Sequence, residues 1–124
     1  MPGSVVLKYP PMRYGTGDAV KMKVCLTTDL RPGQMINVDV LGRTVLVVNV
    51  EGTFHAMDGI CSHGLADLSR GHLDGFIVEC PRHAARYDVR DGKVVSGPVG
   101  VEGRALDLRS YPVTVDRDCV TVDL

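Results

Sequence analysis

The sequence predicts an all-β domain, an antiparallel sandwich or small barrel, on the strength of three features. Valine occurs 20 times in 124 residues, whereas Trp is absent and Phe occurs twice, and β-branched residues suit the pleated surface of a sheet. Short apolar runs alternate with Asp-Gly, Glu-Gly and similar turn pairs along most of the chain. No heptad, internal repeat or long amphipathic helix interrupts this rhythm.

Residues 1–21 hold Pro2, Gly3, Pro10, Pro11, Gly15 and Gly17 with little periodicity and read as an irregular amino-terminal extension to a domain spanning 22–124. Strand structure is expected from Lys21–Leu26 onward. Residues 34–41 place Ile36, Val38 and Val40 at period two, the mark of a half-buried strand. Arg43–Val50 is nearly all apolar and reads as a central strand covered on both faces. Glu51-Gly52 turns the chain into a strand near residues 53–57. Asp74-Gly75 and Asp91-Gly92 are hairpin signals beside strands at 76–80 and 93–95. Strands at 111–116 and Cys119–Asp123 close the chain around the turn Asp116-Arg117-Asp118. One helical turn is expected at 65–69.

Fourteen basic and fifteen acidic residues give a formal net charge of −1, so no cationic footprint for nucleic acid is expected. No run of eighteen apolar residues exists to span a bilayer. The start lacks a basic segment followed by a long apolar stretch. A soluble cytoplasmic protein is the expectation.

Four cysteines and four histidines are present, and half of each fall into two matching clusters, Cys61-Ser62-His63 and Cys80-Pro81-Arg82-His83, sixteen residues apart. Thiolate and imidazole presented together on two loops form a metal-ligand pattern. A tetrahedral structural zinc would accept this set. Each loop, however, supplies one ligand of each kind and no helix carries the second pair. That symmetry suits a binuclear centre better, with Cys61 and Cys80 on one iron and His63 and His83 on the other.

On these residues the sequence resembles the Rieske-type [2Fe-2S] proteins. The likeness continues through Tyr87-Asp88-Val89-Arg90-Asp91-Gly92-Lys93-Val94 and Gly97-Pro98 and covers the chain from about Val24 to Leu124. The small Rieske ferredoxins that serve ring-hydroxylating oxygenases look most similar. The resemblance implies a base of antiparallel strands with an inserted cluster-binding lobe at about 58–95. It also implies one [2Fe-2S] cluster held by Cys61, His63, Cys80 and His83, with both histidines near solvent and the Pro98 loop closing over the cluster.

Neighbouring residues refine that expectation. Relatives from cytochrome complexes join the two loops by a disulfide whose cysteines would fall at Ala66 and Arg82, so a covalent staple is not expected here. Those relatives also carry a Ser donor at the position of Ala85. Fewer donors to the sulfurs should lower the potential, into the lower part of the roughly −150 to +300 mV Rieske span. Tyr87 opposes this modestly if its hydroxyl donates to a ligating sulfur, most naturally that of Cys61. Arg82, between two ligands, is a candidate for docking an acidic partner, together with Arg70 and Arg86. The segment from Asp58 to Lys93 holds six acids and five bases, so no strong field is expected.

Cys25 and Cys119 fall on terminal strands whose pairing would bring them together, and two ordinary thiols are the expectation. His55 reads as a sheet residue and His72 as an exposed residue of the lobe. The function implied by the resemblance is one-electron transfer from a flavoprotein reductase to an oxygenase component, by a protein that is a monomer in isolation. The alternative is a Rieske-like small subunit of a larger redox enzyme such as nitrite reductase. A self-contained oxygenase would need a mononuclear iron on two more histidines and a carboxylate, and only His55 and His72 remain.

Overall fold

The computed structural model describes residues 4–6, 20–62 and 64–124. Twelve strands run in chain order among these residues: β1 (Ser4–Val6), β2 (Lys21–Leu26), β3 (Met35–Val40), β4 (Arg43–Val50), β5 (Thr53–Asp58), β6 (His72–Asp74), β7 (Ile77–Glu79), β8 (Arg86–Asp88), β9 (Val94–Ser96), β10 (Ser110–Tyr111), β11 (Val113–Asp116) and β12 (Cys119–Asp123). They form a five-stranded sheet β1-β3-β4-β5-β10, a three-stranded sheet β11-β12-β2 and a four-stranded sheet β6-β7-β8-β9. The first two face each other as the base, and the third is the inserted lobe. The molecule is therefore nearly all-β, as the valine content and turn spacing predict.

The register of β4 organises the packing. Side chains alternate across a strand, so Val45 and Val47 enter one core and Leu46, Val48 and Val50 enter the other. The first core lies between the base sheets and includes Met22, Val24, Val38, Val40, Val120 and Val122. The second lies under the lobe and includes Leu68, Val78, Tyr87 and Val89. Val45, Leu46, Val47 and Val48 are all fully buried, and each contributes about 1.5–3 kcal/mol by removal from water.

Three expectations shift. Ser4–Val6, within the segment expected to be irregular, runs as a strand parallel to β3, whose edge would otherwise lie open. Residues 1–3 and 7–19 of that extension lie outside the described residues. The helical turn falls at Leu68–Arg70, where Asp67 caps it by accepting from the Ser69 N–H, and a second turn occupies Thr27–Asp29. Pro112 divides the expected strand at 111–116 into β10 and β11, because it has no N–H to donate. Cys25 and Cys119 stand as thiols, not as a disulfide.

The chain leaving the lobe is sewn back onto it. Leu108 N–H donates to the Gly92 carbonyl at 2.8 Å and Val94 N–H to Asp107 Oδ1 at 2.9 Å. Asp58, at the end of β5, accepts from the Arg109 N–H at 3.1 Å and from the Tyr111 hydroxyl at 2.6 Å. Gly92 sits at φ +77°, and a Cβ there would strike the Leu108 carbonyl. Gly92→Ala should therefore destabilise the fold by about 1–3 kcal/mol, read from the denaturant midpoint.

Burial raises the Tyr111 hydroxyl above its ordinary value, and its bond to Asp58 adds to the effect. The folded protein thus holds this proton more tightly than the unfolded chain. The linked stability is fully present below about pH 10, the unfolded tyrosine value, and is lost as pH rises through the higher folded value. Tyr111→Phe should cost about 1–3 kcal/mol at neutral pH and flatten the alkaline fall, as measured by urea unfolding at pH 8 and pH 11.

Candidate metal centre

The two cysteine-bearing loops sit at the end of the second core and share one backbone design. Cys61 N–H donates to the Ala66 carbonyl and Leu65 N–H to the Cys61 carbonyl, at 2.8 and 3.0 Å. Cys80 N–H donates to the Ala85 carbonyl and Ala84 N–H to the Cys80 carbonyl, at 2.7 and 3.2 Å. In both loops the fourth residue after the cysteine adopts a left-handed conformation, with φ +53° at Leu65 and +61° at Ala84. Neither is glycine, so each turn carries about 1–2 kcal/mol of strain, which the paired backbone bonds offset.

This design brings two sulfurs together. Cys61 is fully buried and Cys80 nearly so, and the two side chains are in contact. Burial pushes the Cys80 thiol up, and the neighbouring Cys61 adds to that rise. The backbone N–H groups of Arg82 and His83 oppose it by donating toward the Cys80 sulfur. A buried sulfur met by backbone donors is suited to the thiolate form once a cation is present. His83 is half-buried on the same loop, and its ring faces the other one: a Cβ built on Gly64 would lie 4.0 Å from His83 Nδ1. His63 lies outside the described residues. Among the described residues no three His, Cys, Asp or Glu side chains converge into a single compact donor set.

Of the two neighbours expected around the ligands, Tyr87 lies beside a sulfur. Tyr87 is fully buried on β8, with its hydroxyl 3.1 Å from Cys61 Sγ. Burial, with the Cys61 contact in support, pushes its hydroxyl up to about 12, so it stays protonated and able to donate. Pro98 is half-buried in a loop anchored at Val99, whose N–H donates to the His83 carbonyl at 2.7 Å.

Arg82 is exposed, and its Nη1 donates to the Gly64 carbonyl at 3.0 Å. It thus spans the two loops without a covalent bond. Arg86, the third of the expected docking arginines, is paired with Glu79 at 2.9 Å. Arg70 and Arg82 line a groove of about 530 Å³ with Cys80, Pro81, His83 and Ala84.

Sequence reasoning missed Ser62. Its Oγ lies 3.0 Å from the Tyr87 hydroxyl and bonds both backbone groups of Leu106, at 2.8 and 2.9 Å. Only its place between two expected ligands hinted at this, because Leu106 is forty-four residues away. His55 behaves as a sheet residue, edge-on to Phe76, and burial lowers its pKa, with Arg90 adding to the effect. His72 is exposed on β6.

Buried thiols on twin loops, with an imidazole beside them, bind a soft or borderline metal centre. The geometry thus suits a metalloprotein. Comparison with known proteins makes the class specific. The family model of the Rieske [2Fe-2S] domain matches residues 20–112. The ferredoxin component of biphenyl 2,3-dioxygenase from Rhodococcus jostii (strain RHA1) is 39% identical over 102 residues, 82% of this chain and 91% of the relative. The ferredoxin of carbazole 1,9a-dioxygenase from Nocardioides aromaticivorans IC177 has a TM-score of 0.74 at 32% identity, covering 82% of this chain and 95% of that one. A chain from the complex of reduced oxygenase and oxidised ferredoxin in carbazole 1,9a-dioxygenase has a TM-score of 0.72 at 35% identity, covering 82% and 91%.

The chain belongs to the Rieske [2Fe-2S] family. Within it, the chain is a ferredoxin, an electron carrier.

Proposed function

We propose that Cys61 and Cys80 hold one iron and His63 and His83 the other iron of a single [2Fe-2S] cluster. We further propose that the chain, a cytoplasmic monomer in isolation, carries electrons from a flavoprotein reductase to the oxygenase component of a ring-hydroxylating system. The domain is delimited as residues 22–124 and its cluster-binding lobe as about 58–95. The observation that carries this reading is the pair of matched loops that set two buried sulfurs in contact. The complex of oxygenase with ferredoxin among the similar structures supports the choice of acceptor.

When bound, the cluster supplies a one-electron couple. The protein's residues provide the rest. Burial of Cys61 and Cys80 keeps water from the sulfurs, and neutral imidazole in place of two thiolates leaves less negative charge to oppose reduction. Backbone donors at Arg82 and His83 offset the charge on Cys80, and the Tyr87 hydroxyl offers the same to Cys61. Arg82 braces the loops and, with Arg70, presents positive charge beside the groove under His83. An acidic patch on the acceptor complements that surface. Exposed Leu65 and Val99 supply apolar contact nearby, and the half-buried edge of His83 provides a short route outward.

Purified protein should be red-brown, contain iron and acid-labile sulfide, and after dithionite reduction give an EPR signal of the thiolate/imidazole type. Cys80→Ser should abolish colour and signal together. A colourless wild-type protein loaded with zinc would overturn the reading. Tyr87→Phe should lower the midpoint potential in protein-film voltammetry, and an unchanged potential would remove the proposed donation to Cys61.

A further inference from the structure

Tyr87 does not act alone, and a count of hydrogens shows why. Ser62 Oγ makes three polar contacts: with the Leu106 carbonyl at 2.8 Å, the Leu106 N–H at 2.9 Å and the Tyr87 hydroxyl at 3.0 Å. A carbonyl only accepts, so the one hydroxyl hydrogen of Ser62 is committed to Leu106. Toward Tyr87, Ser62 is then an acceptor. Cys61 Sγ, 3.1 Å from the same phenol, is also an acceptor once it is a metal-bound thiolate. Tyr87 has a single hydrogen and two acceptors at nearly equal range.

We propose that Ser62, fixed by both backbone groups of Leu106, competes with Cys61 for the Tyr87 hydrogen and thereby holds the potential of this ferredoxin down. The inference rests on the Rieske reading above. Thiolate is the stronger acceptor, and would be more so with the negative charge of an added electron on the cluster it holds. In the oxidised protein Tyr87 shares its hydrogen with Ser62. On reduction the hydrogen moves toward Cys61 and the bond to Ser62 is given up. That loss opposes reduction, so the potential lies below the value Tyr87 alone would set. Ser62 is a positioning residue, acting on the sulfur only through Tyr87. The clamp on Ser62 comes from the segment 105–108, which is bound to the lobe at Gly92 and Val94.

A cycle of midpoint potentials on cluster-bearing protein tests this. Ser62→Ala should shift the potential upward, opposite in sign to Tyr87→Phe. Ser62→Thr, which keeps the hydroxyl, should stay at the wild-type value. In a Tyr87→Phe background Ser62→Ala should have no effect, because the contested hydrogen is gone. No shift or a downward shift for Ser62→Ala overturns the proposal. So does an upward shift that persists in the Tyr87→Phe background, which assigns the effect to water reaching the sulfur. If Ser62→Ala loses its cluster, Ser62→Gly removes the same hydroxyl without a new side chain, and colour lost in both overturns the proposal in favour of a purely structural role. Failure of the Rieske reading itself shows earlier and separately, as wild-type protein without iron and sulfide.

Discussion

The strict alternation of β4 is the constraint on which the rest of the molecule depends. Val45 and Val47 anchor the base, while Leu46, Val48 and Val50 anchor the lobe. Because the side-chain period of a strand is two, a slip of one residue would exchange the two sets. Both cores would then have to repack together. The lobe is thus positioned by the same backbone that builds the base. Asn37 adds a polar pin on the neighbouring strand, fully buried and donating to the Gly59 carbonyl and to Asp67 Oδ1. Through Asp67 it fixes the turn that follows the first cysteine loop.

Much of this was legible in the sequence because its physics is local. The apolar run at Arg43–Val50, the period-two pattern at 34–41 and the Asp-Gly pairs each report on neighbours a few residues away, and their elements form close to where they are expected. The spacing of Cys61, His63, Cys80 and His83 is legible for a different reason. Few functions other than metal binding require that pattern of side chains. What could not be read was set by distant parts of the chain. Nothing beside Ser62 in sequence points to Leu106, nothing beside Asp58 points to Tyr111, and the pairing of Ser4–Val6 with β3 depends on an edge that forms thirty residues later. The left-handed turns at Leu65 and Ala84 were hidden too, since neither position carries the glycine or asparagine that announces such a conformation.

The twin loops show what replaces a disulfide in this lobe. Ala66 is buried with its carbonyl taken by the Cys61 N–H, and its methyl offers no sulfur to bridge. Arg82 reaches across to Gly64 instead. A hydrogen bond at the surface is worth about 1 kcal/mol, less than the 2–4 kcal/mol typical of a disulfide. The deficit is small because the loops are held from below as well. Tyr87, Ala85 and Val78 are fully buried against the two cysteines in one continuous core.

That core is closed by the returning chain, and this has a consequence for electron transfer. Leu106, Leu108 and Arg109 bind in turn to Ser62, Gly92 and Asp58, which belong to the first cysteine loop, the lobe hairpin and the end of β5. The segment therefore ties these three parts together, and the Val99 N–H, donating to the His83 carbonyl, holds the second loop. A site held this way keeps its dipoles oriented before charge arrives, so little reorganisation accompanies the change. A carrier that exchanges single electrons gains speed from that rigidity in both directions. Under the proposed competition the Tyr87 hydrogen adjusts instead, moving a fraction of an ångström without disturbing any backbone bond.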